Sequence, residues 1–360
     1  MNAVFFRRFR AFRHHALACC LAGSALLSGL MPGLAAAQGK PNSFATHPAV
    51  TEFAQQMQAK HGFDAQELLQ DFSRIAPNGI ALQAIRPPVR VEQRSWQRYR
   101  PRFVNEQRIS RGLKFWSQNE ETLKRAQKTY GVPAEFIVAI IGVETEYGRN
   151  TGSFGVMEVL ASLAFNYPPR AEFFRSELEE FLILARENQF DRLSVKGSFA
   201  GAIGIPQFMP GSQRKFAADF DGDGVVDLRH SVVDAIGSVA SFFVKHGWKP
   251  GEPVAVPVRM TDDPEEKIAL DARLQEQVKA GILPTLKLDQ LGSIGIQPQR
   301  TPANAGPDTL AAVIDLVSPG QATEYWLGFN NFYVITRYNR SSFYAMSVLQ
   351  LAEALKKRHH

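Results

Sequence analysis

The chain has 360 residues, 45% hydrophobic and 21% charged, with 27 Gly and 21 Pro. That composition excludes a disordered, collagen-like or polytopic membrane protein and is long enough for about two domains. Its formal charge of +6, 41 basic against 35 acidic residues, invites a nucleic-acid or membrane-surface reading until the position of the charges is taken into account.

The first 37 residues contain Arg7, Arg8, Arg10 and Arg13 and no acidic residue. An apolar stretch follows from about Ala16 to Leu34 and ends in Ala35-Ala36-Ala37. A basic region, an apolar region and a small-residue cleavage site describe a secretory signal peptide over residues 1–37. Gly23, Ser24, Pro32 and Gly33 interrupt the apolar stretch, which argues against a spanning helix. Without its four arginines the 41 basic residues fall to 37 against 35 acidic, and the case for nucleic acid goes with them. Both cysteines, Cys19 and Cys20, also leave with this segment. Ala16-Leu17-Ala18 before them is a weak lipobox, so a cleaved, exported protein is expected ahead of a lipoprotein. Membrane association is expected only with lipidation.

Residues 38–130 read as a helical N-terminal region. Val50, Phe53 and Met57, then Phe63, Leu68, Leu69 and Phe72, recur at helical spacing. Pro87-Pro88 breaks the pattern, and Asn105 to Thr129 reads as one amphipathic helix. Residues 131–250 form the expected core. Pro133 suits a helix start, and Phe136 to Val143 is apolar on every side, so this helix should be enclosed by others. Further helices are expected over about Gly155–Phe165, Arg170–Asn188 and Ser231–His246. Residues 251–320 resemble an inserted β-containing subdomain, and residues 321–360 return to the core. Strands are expected at Pro253–Val258, Ala311–Val317, Glu324–Leu327 and Phe332–Thr336, and a closing helix over Ser341–Lys356.

Glu144 follows the apolar run and on a helix shares a face with Ile137, Ile140, Ile141 and Gly148. Glu146 would point about 200° away, to solvent. An apolar setting disfavours the charged carboxylate and raises its pKa, which suits a general acid near neutral pH. A structural buried Glu explains this one feature equally well. A second feature is the segment Gly197 to Pro210, where glycines and alanines allow close backbone approach around Ser198 and Gln207.

Together, Gly142-Val143-Glu144-Thr145, Phe165-Asn166-Tyr167-Pro168 and Gly197–Pro210 resemble the lytic murein transglycosylase B family. The resemblance implies an α+β, mainly α, lysozyme-like fold with added N-terminal helices. It implies cleavage of the β-1,4 bond between N-acetylmuramic acid and N-acetylglucosamine in peptidoglycan strands, leaving 1,6-anhydromuramic acid ends. Glu144 matches the single acid and base. Tyr99, Asn166, Arg170, Ser198, Gln207, Tyr338 and Asn339 match or adjoin glycan-cleft positions, and Phe242 stands where the family usually has Tyr. A hydrolytic muramidase of the same fold and a non-catalytic peptidoglycan- or calcium-binding scaffold remain alternatives. Complexes with other cell-wall enzymes stay open.

Asp219, Asp221, Asp223 and Asp227 occupy positions 1, 3, 5 and 9 of an EF-hand-like loop, with Gly224 at 6 and the Val225 carbonyl at 7. Position 12 is His230, a poor Ca²⁺ ligand, and Asp234 is the nearest later Asp. A structural Ca²⁺ is expected, and no organic cofactor. No H-E-x-x-H, G-x-S-x-G or phosphate-cradling loop occurs.

Overall fold

The computed structural model describes residues 43–86 and 94–359. The expected signal peptide, both cysteines and Pro87-Pro88 lie outside the described residues. The chain divides after Asn78 into two compact units.

In residues 43–78, α1 (Pro48–His61) packs on α2 (Ala65–Ser73). Pro48 opens α1 and Gly62, at φ +67°, ends it; the Asp64 carboxylate accepts the Gln66 and Glu67 amides to start α2. Phe53 and Phe72 meet edge-on at 6.2 Å.

The larger unit begins with α3 (Gly79–Ala84), α4 (Trp96–Tyr99), α5 (Glu106–Gln118), α6 (Glu120–Tyr130) and α7 (Ala134–Thr145). The single helix expected over Asn105–Thr129 is two. Asn119 leaves helical geometry, and its amide Nδ2 donates to the Phe115 carbonyl (2.8 Å), closing α5. Next come β1 (Phe154–Gly155), α8 (Val156–Asn166), α9 (Ala171–Glu187), β2 (Lys196–Gly197), α10 (Pro210–Phe216) and α11 (Val232–Lys245). The chain then runs through β3 (Ala255–Pro257), α12 (Pro264–Lys279), β4 (Leu286–Lys287), α13 (Leu288–Leu291), β5 (Leu310–Leu316), β6 (Glu324–Gly328), α14 (Asn330–Tyr338) and α15 (Ser342–His359).

The unit is mostly helical with small sheets, as the sequence predicts. Every residue of α7 from Ala134 to Val143 is buried, and α5, α6, α11 and α15 pack around it. An all-apolar helix is stable in water only when sheltered in this way. The one ionisable residue among those ten, Glu135, is met by the Lys356 ammonium of α15 at 2.8 Å.

An antiparallel sheet runs in the order β3-β6-β5-β4. On one side of it Leu270 and Leu274 of α12, Val256, Val313 and Leu327 form a core of their own. Strand β6 sits between β3 and β5, so the sheet draws in chain beyond residue 320 before α14 begins.

The strand expected at Phe332–Thr336 is instead the middle of α14. Its β-branched and aromatic residues suit a strand locally, but burial decides here. Phe332, Val334, Ile335 and Thr336 are all buried in the helix. The Asn331 amide accepts from the Lys249 N–H (2.9 Å) and donates to the carbonyls of Lys249 (2.8 Å) and Glu252 (3.1 Å). Satisfying those buried backbone groups fixes the start of α14.

Leu327 is fully buried between sheet and helix. Leu327→Ala should destabilise the protein by about 2–4 kcal/mol, seen as a lower thermal midpoint.

Candidate active site

Helix α7 ends one residue after Glu144. Glu146, Tyr147 and Gly148 take φ of +54°, +65° and +81° in succession, so the chain turns away abruptly. Two such non-glycine residues in a row are strained and need outside support. The Tyr147 hydroxyl donates to the Arg108 carbonyl (2.9 Å), and its ring fills the space left by Gly112 and Gly142. A Cβ on either glycine would come within 2.4 or 2.6 Å of that hydroxyl. Thr145 donates to the Ile205 carbonyl (2.7 Å) and accepts from the Gly148 N–H (2.9 Å). These contacts tie the helix end to the small-residue loop after β2.

The same turn corrects the expectation for Glu146. Because the helix has already ended, Glu146 does not swing to solvent; it pairs with Arg111 and accepts from Asn150 (3.2 Å).

The loop from Ser198 to Phe208 is held by its own backbone. Ile203 and Phe208 exchange hydrogen bonds of 2.7 and 3.1 Å, and the Ile205 N–H donates to the Leu228 carbonyl at 2.8 Å. At Gly204, φ is +75° and a Cβ would sit 2.2 Å from the Leu228 oxygen, so only glycine fits. The Ser198 hydroxyl oxygen accepts from the Ala202 N–H (3.0 Å). The Gln207 side-chain amide donates to the carbonyls of Thr151 (3.0 Å) and Gly204 (2.9 Å). Both side chains therefore brace the loop, and neither bonds to Glu144 in this structure.

Three tyrosines surround Glu144. The Tyr344 hydroxyl, from α15, donates to Glu144 Oε1 at 2.6 Å. The Tyr338 hydroxyl donates to the Pro206 carbonyl (2.7 Å), and its ring packs on Phe208 and Phe242. Tyr99 packs on Phe103 and Phe343. Burial, and then the nearby charge of Glu144, pushes the phenols up: Tyr99 to about 12, Tyr338 and Tyr344 well above the ordinary value. Burial likewise pushes the Glu144 carboxyl from 4.5 up to about 7, with the Tyr344 hydrogen bond pulling it back. Glu144 keeps partial solvent access although the ten residues before it are buried. It can thus hold or release a proton near neutral pH while remaining reachable.

The other expected cleft residues lie apart from this cluster's hydrogen bonds. Asn166 is exposed at the end of α8. The Arg170 guanidinium stacks over Phe173 (4.4 Å) and Phe174 (5.0 Å). Asn339 follows α14, and its carbonyl accepts from the Ser341 N–H (2.7 Å). Phe242 is buried against His246 (3.9 Å) and Tyr338 (4.7 Å), supplying a wall without a hydroxyl. Sequence reasoning missed Tyr344. Its one signal was a polar-tipped ring at the start of an apolar helix, 200 residues from its partner.

In the acidic loop, Asp219, Asp221 and Asp223 each bring a carboxylate oxygen within 4.8 Å of the others. Amides of Gly222 (2.7 Å) and Gly224 (2.8 Å) hold the Asp219 carboxylate in place, and Val225 is exposed beside it. Asp227 is turned to the His230 ring (2.7 Å) and to Arg229. Asp234 is buried under the loop, where its two oxygens accept from the N–H groups of Phe220 (2.8 Å), Asp221 (3.3 Å) and Asp227 (2.9 Å). Three clustered carboxylates and no nitrogen or sulfur donor fit a hard cation such as Ca²⁺.

Comparison with known proteins gives a consistent picture. The family model described as "Transglycosylase SLT domain" matches residues 45–353. Membrane-bound lytic murein transglycosylase B of Escherichia coli (strain K12) is 41% identical over 321 residues, 87% of this chain and 84% of that protein. Soluble lytic transglycosylase SltB1 from Pseudomonas aeruginosa superposes with TM-score 0.77 at 48% identity, over 86% of this chain and 99% of that one. The E. coli lytic transglycosylase Slt35 in complex with calcium superposes with TM-score 0.77 at 40% identity, over 89% and 97%.

Tyr344 favours the charged carboxylate, so Tyr344→Phe should move the Glu144 titration upward from about 7, read in infrared carboxyl difference spectra. Because the folded pKa lies above the unfolded value, the native state holds a proton that the unfolded chain releases, and stability falls as pH rises from about 4.5 to about 7. Glu144→Gln removes this decline and should gain about 1–3 kcal/mol relative to the native protein between pH 5 and pH 8.

Proposed function

We propose that this chain, which belongs to the Transglycosylase SLT domain family and is a peptidoglycan lytic transglycosylase, uses Glu144 first as acid and then as base. The protonated carboxyl gives its proton to the oxygen of the β-1,4 bond between N-acetylmuramic acid and N-acetylglucosamine, and the C1–O bond breaks. The carboxylate, held by the Tyr344 hydroxyl, then takes the proton of the muramoyl 6-hydroxyl as that oxygen bonds to C1. The ring closes to the 1,6-anhydro sugar, Glu144 is protonated again, and no water is consumed.

The observation that carries this reading is the environment of Glu144. Burial and one phenol set its pKa near 7, and among the described residues no second carboxylate contributes to the shift. An ordinary glycosidase needs a carboxylate pair, whereas a single group that cycles between its two forms suffices here. Tyr99 and Tyr338 offer aromatic faces for sugar rings beside Glu144. Ser198 and Gln207 shape the loop opposite, and Asn166, Arg170 and Asn339 bind the strand further along.

Asp219, Asp221, Asp223 and the Val225 carbonyl would hold the Ca²⁺ ion, whose part is to neutralise and rigidify the loop before α11. Asp227 and Asp234 brace that loop from their own hydrogen bonds. Residues 1–37 serve as the export signal that brings the enzyme to the periplasm; among the described residues no helix is long and apolar enough to cross a membrane.

Glu144→Gln should lower release of soluble fragments from sacculi by about a thousandfold or more while sedimentation with sacculi is kept. Lysis at near-native rate would remove Glu144 from its role. Chelation should lower the thermal midpoint, and added Ca²⁺ should restore it, since an ion bound only by the folded state stabilises that state. An unchanged midpoint would exclude the ion.

A further inference from the structure

The hydrogen bonds beside Glu144 run on through the small-residue loop to the acidic loop. We propose that Thr145 is a positioning residue through which a cation at Asp219, Asp221 and Asp223 and a glycan in the cleft favour each other's binding, a reading that rests on the function and the ion proposed above.

Thr145 is the last residue of α7, next to Glu144, and is 1% exposed. Its hydroxyl lies 2.7 Å from the Ile205 carbonyl and 3.3 Å from the Ile141 carbonyl of its own helix, so the loop takes the stronger bond. Ile205 carries the connection onward, because its N–H donates to the Leu228 carbonyl at 2.8 Å. Leu228 directly follows Asp227, and the peptide between them belongs to the frame of the acidic loop. The Asp227 carbonyl accepts from the Ser231 N–H (3.0 Å), and the Ser231 hydroxyl donates to Asp221 Oδ2 (2.8 Å), on one of the three clustered carboxylates. A second arm leaves the same stretch one residue later, where the Pro206 carbonyl accepts from the Tyr338 hydroxyl (2.7 Å).

Burial makes this connection stiff. Leu228 is fully buried and Ile205 nearly so, and a Cβ on Gly204 would already sit 2.2 Å from the Leu228 oxygen. Water cannot take the place of the bond between them. A shift of the Leu228 carbonyl therefore either carries Ile205 along or leaves a buried amide unpaired. The three carboxylates, with oxygens within 4.8 Å of one another, repel, and a bound cation removes that repulsion. The loop then holds the Asp227–Leu228 peptide where Ile205 needs it, and Ile205 and Pro206 hold Thr145 and Tyr338 about Glu144. A glycan that needs this arrangement tightens cation binding, and the cation tightens glycan binding by the same factor.

The test uses the full protein carrying Glu144→Gln, so that strands stay intact. Calorimetry titrates Ca²⁺ with and without short soluble peptidoglycan strands, and the strands with and without Ca²⁺. Each should tighten the other about tenfold. Adding Thr145→Val, or Thr145→Ala where that variant does not fold, should abolish the mutual effect and leave Ca²⁺ affinity in the absence of strands unchanged. Adding Thr145→Ser, which keeps the hydroxyl, should retain it. A Thr145 that only supports the fold would lower the thermal midpoint when replaced and leave the mutual effect intact, which would overturn the proposal. So would two ligands that bind independently with Thr145 in place. A protein that binds strands but no Ca²⁺ would remove the ion, and one that binds Ca²⁺ but no strands would remove the function. Either result takes the proposal with it and is distinct from binding without mutual effect.

Discussion

A carboxyl group at the last turn of a helix buried on every side has no inexpensive way to carry charge. Burial removes the water that would solvate it, and the negative end of the helix dipole adds to the cost. Most of the larger unit can be understood from the need to build and keep that situation. Helices α5, α6, α11 and α15 enclose α7 so completely that only Glu144 of its residues keeps solvent access. One phenol, Tyr344, then offsets part of the penalty and leaves the group poised between its two forms.

The turn that follows serves the same end. Had α7 continued, Glu144 would have been flanked by another turn of helix and its access closed. Instead, three left-handed residues end it at once, and their strain is held by Tyr147 fitted against two glycines and by Thr145 bonded to Ile205. The helix end and the small-residue loop are thereby a single construction. That explains why Ser198 and Gln207, attractive as ligand-binding side chains, are occupied with backbone partners.

Local chemistry was legible wherever it lay within a few residues. The apolar run before Glu144 and the strands around Val313 and Leu327 read correctly because one short segment contains each signal, and the Asp219-Asp221-Asp223 spacing does bring three carboxylates together. What could not be read was long-range or set by competition. Tyr344 reaches Glu144 from the far end of the chain, so no spacing rule pairs them. Asp234 was expected near the metal, yet its oxygens are drawn to three amides by the way the loop folds over it. Asn119 breaks a helix whose apolar periodicity continues across it, and Phe332–Thr336 is helical because burial outweighs β propensity. Glu146 failed for a simpler cause: helical-wheel geometry was carried one residue past the end of the helix.

The central claim is that one carboxyl group hands a proton out and takes one back, with the sugar's own hydroxyl in place of water. Digesting sacculi in heavy-oxygen water and weighing the muropeptides by mass spectrometry tests it directly. The account predicts 1,6-anhydro ends that carry no heavy oxygen. Reducing muramic acid ends bearing the heavy label would contradict it and make the enzyme a hydrolase.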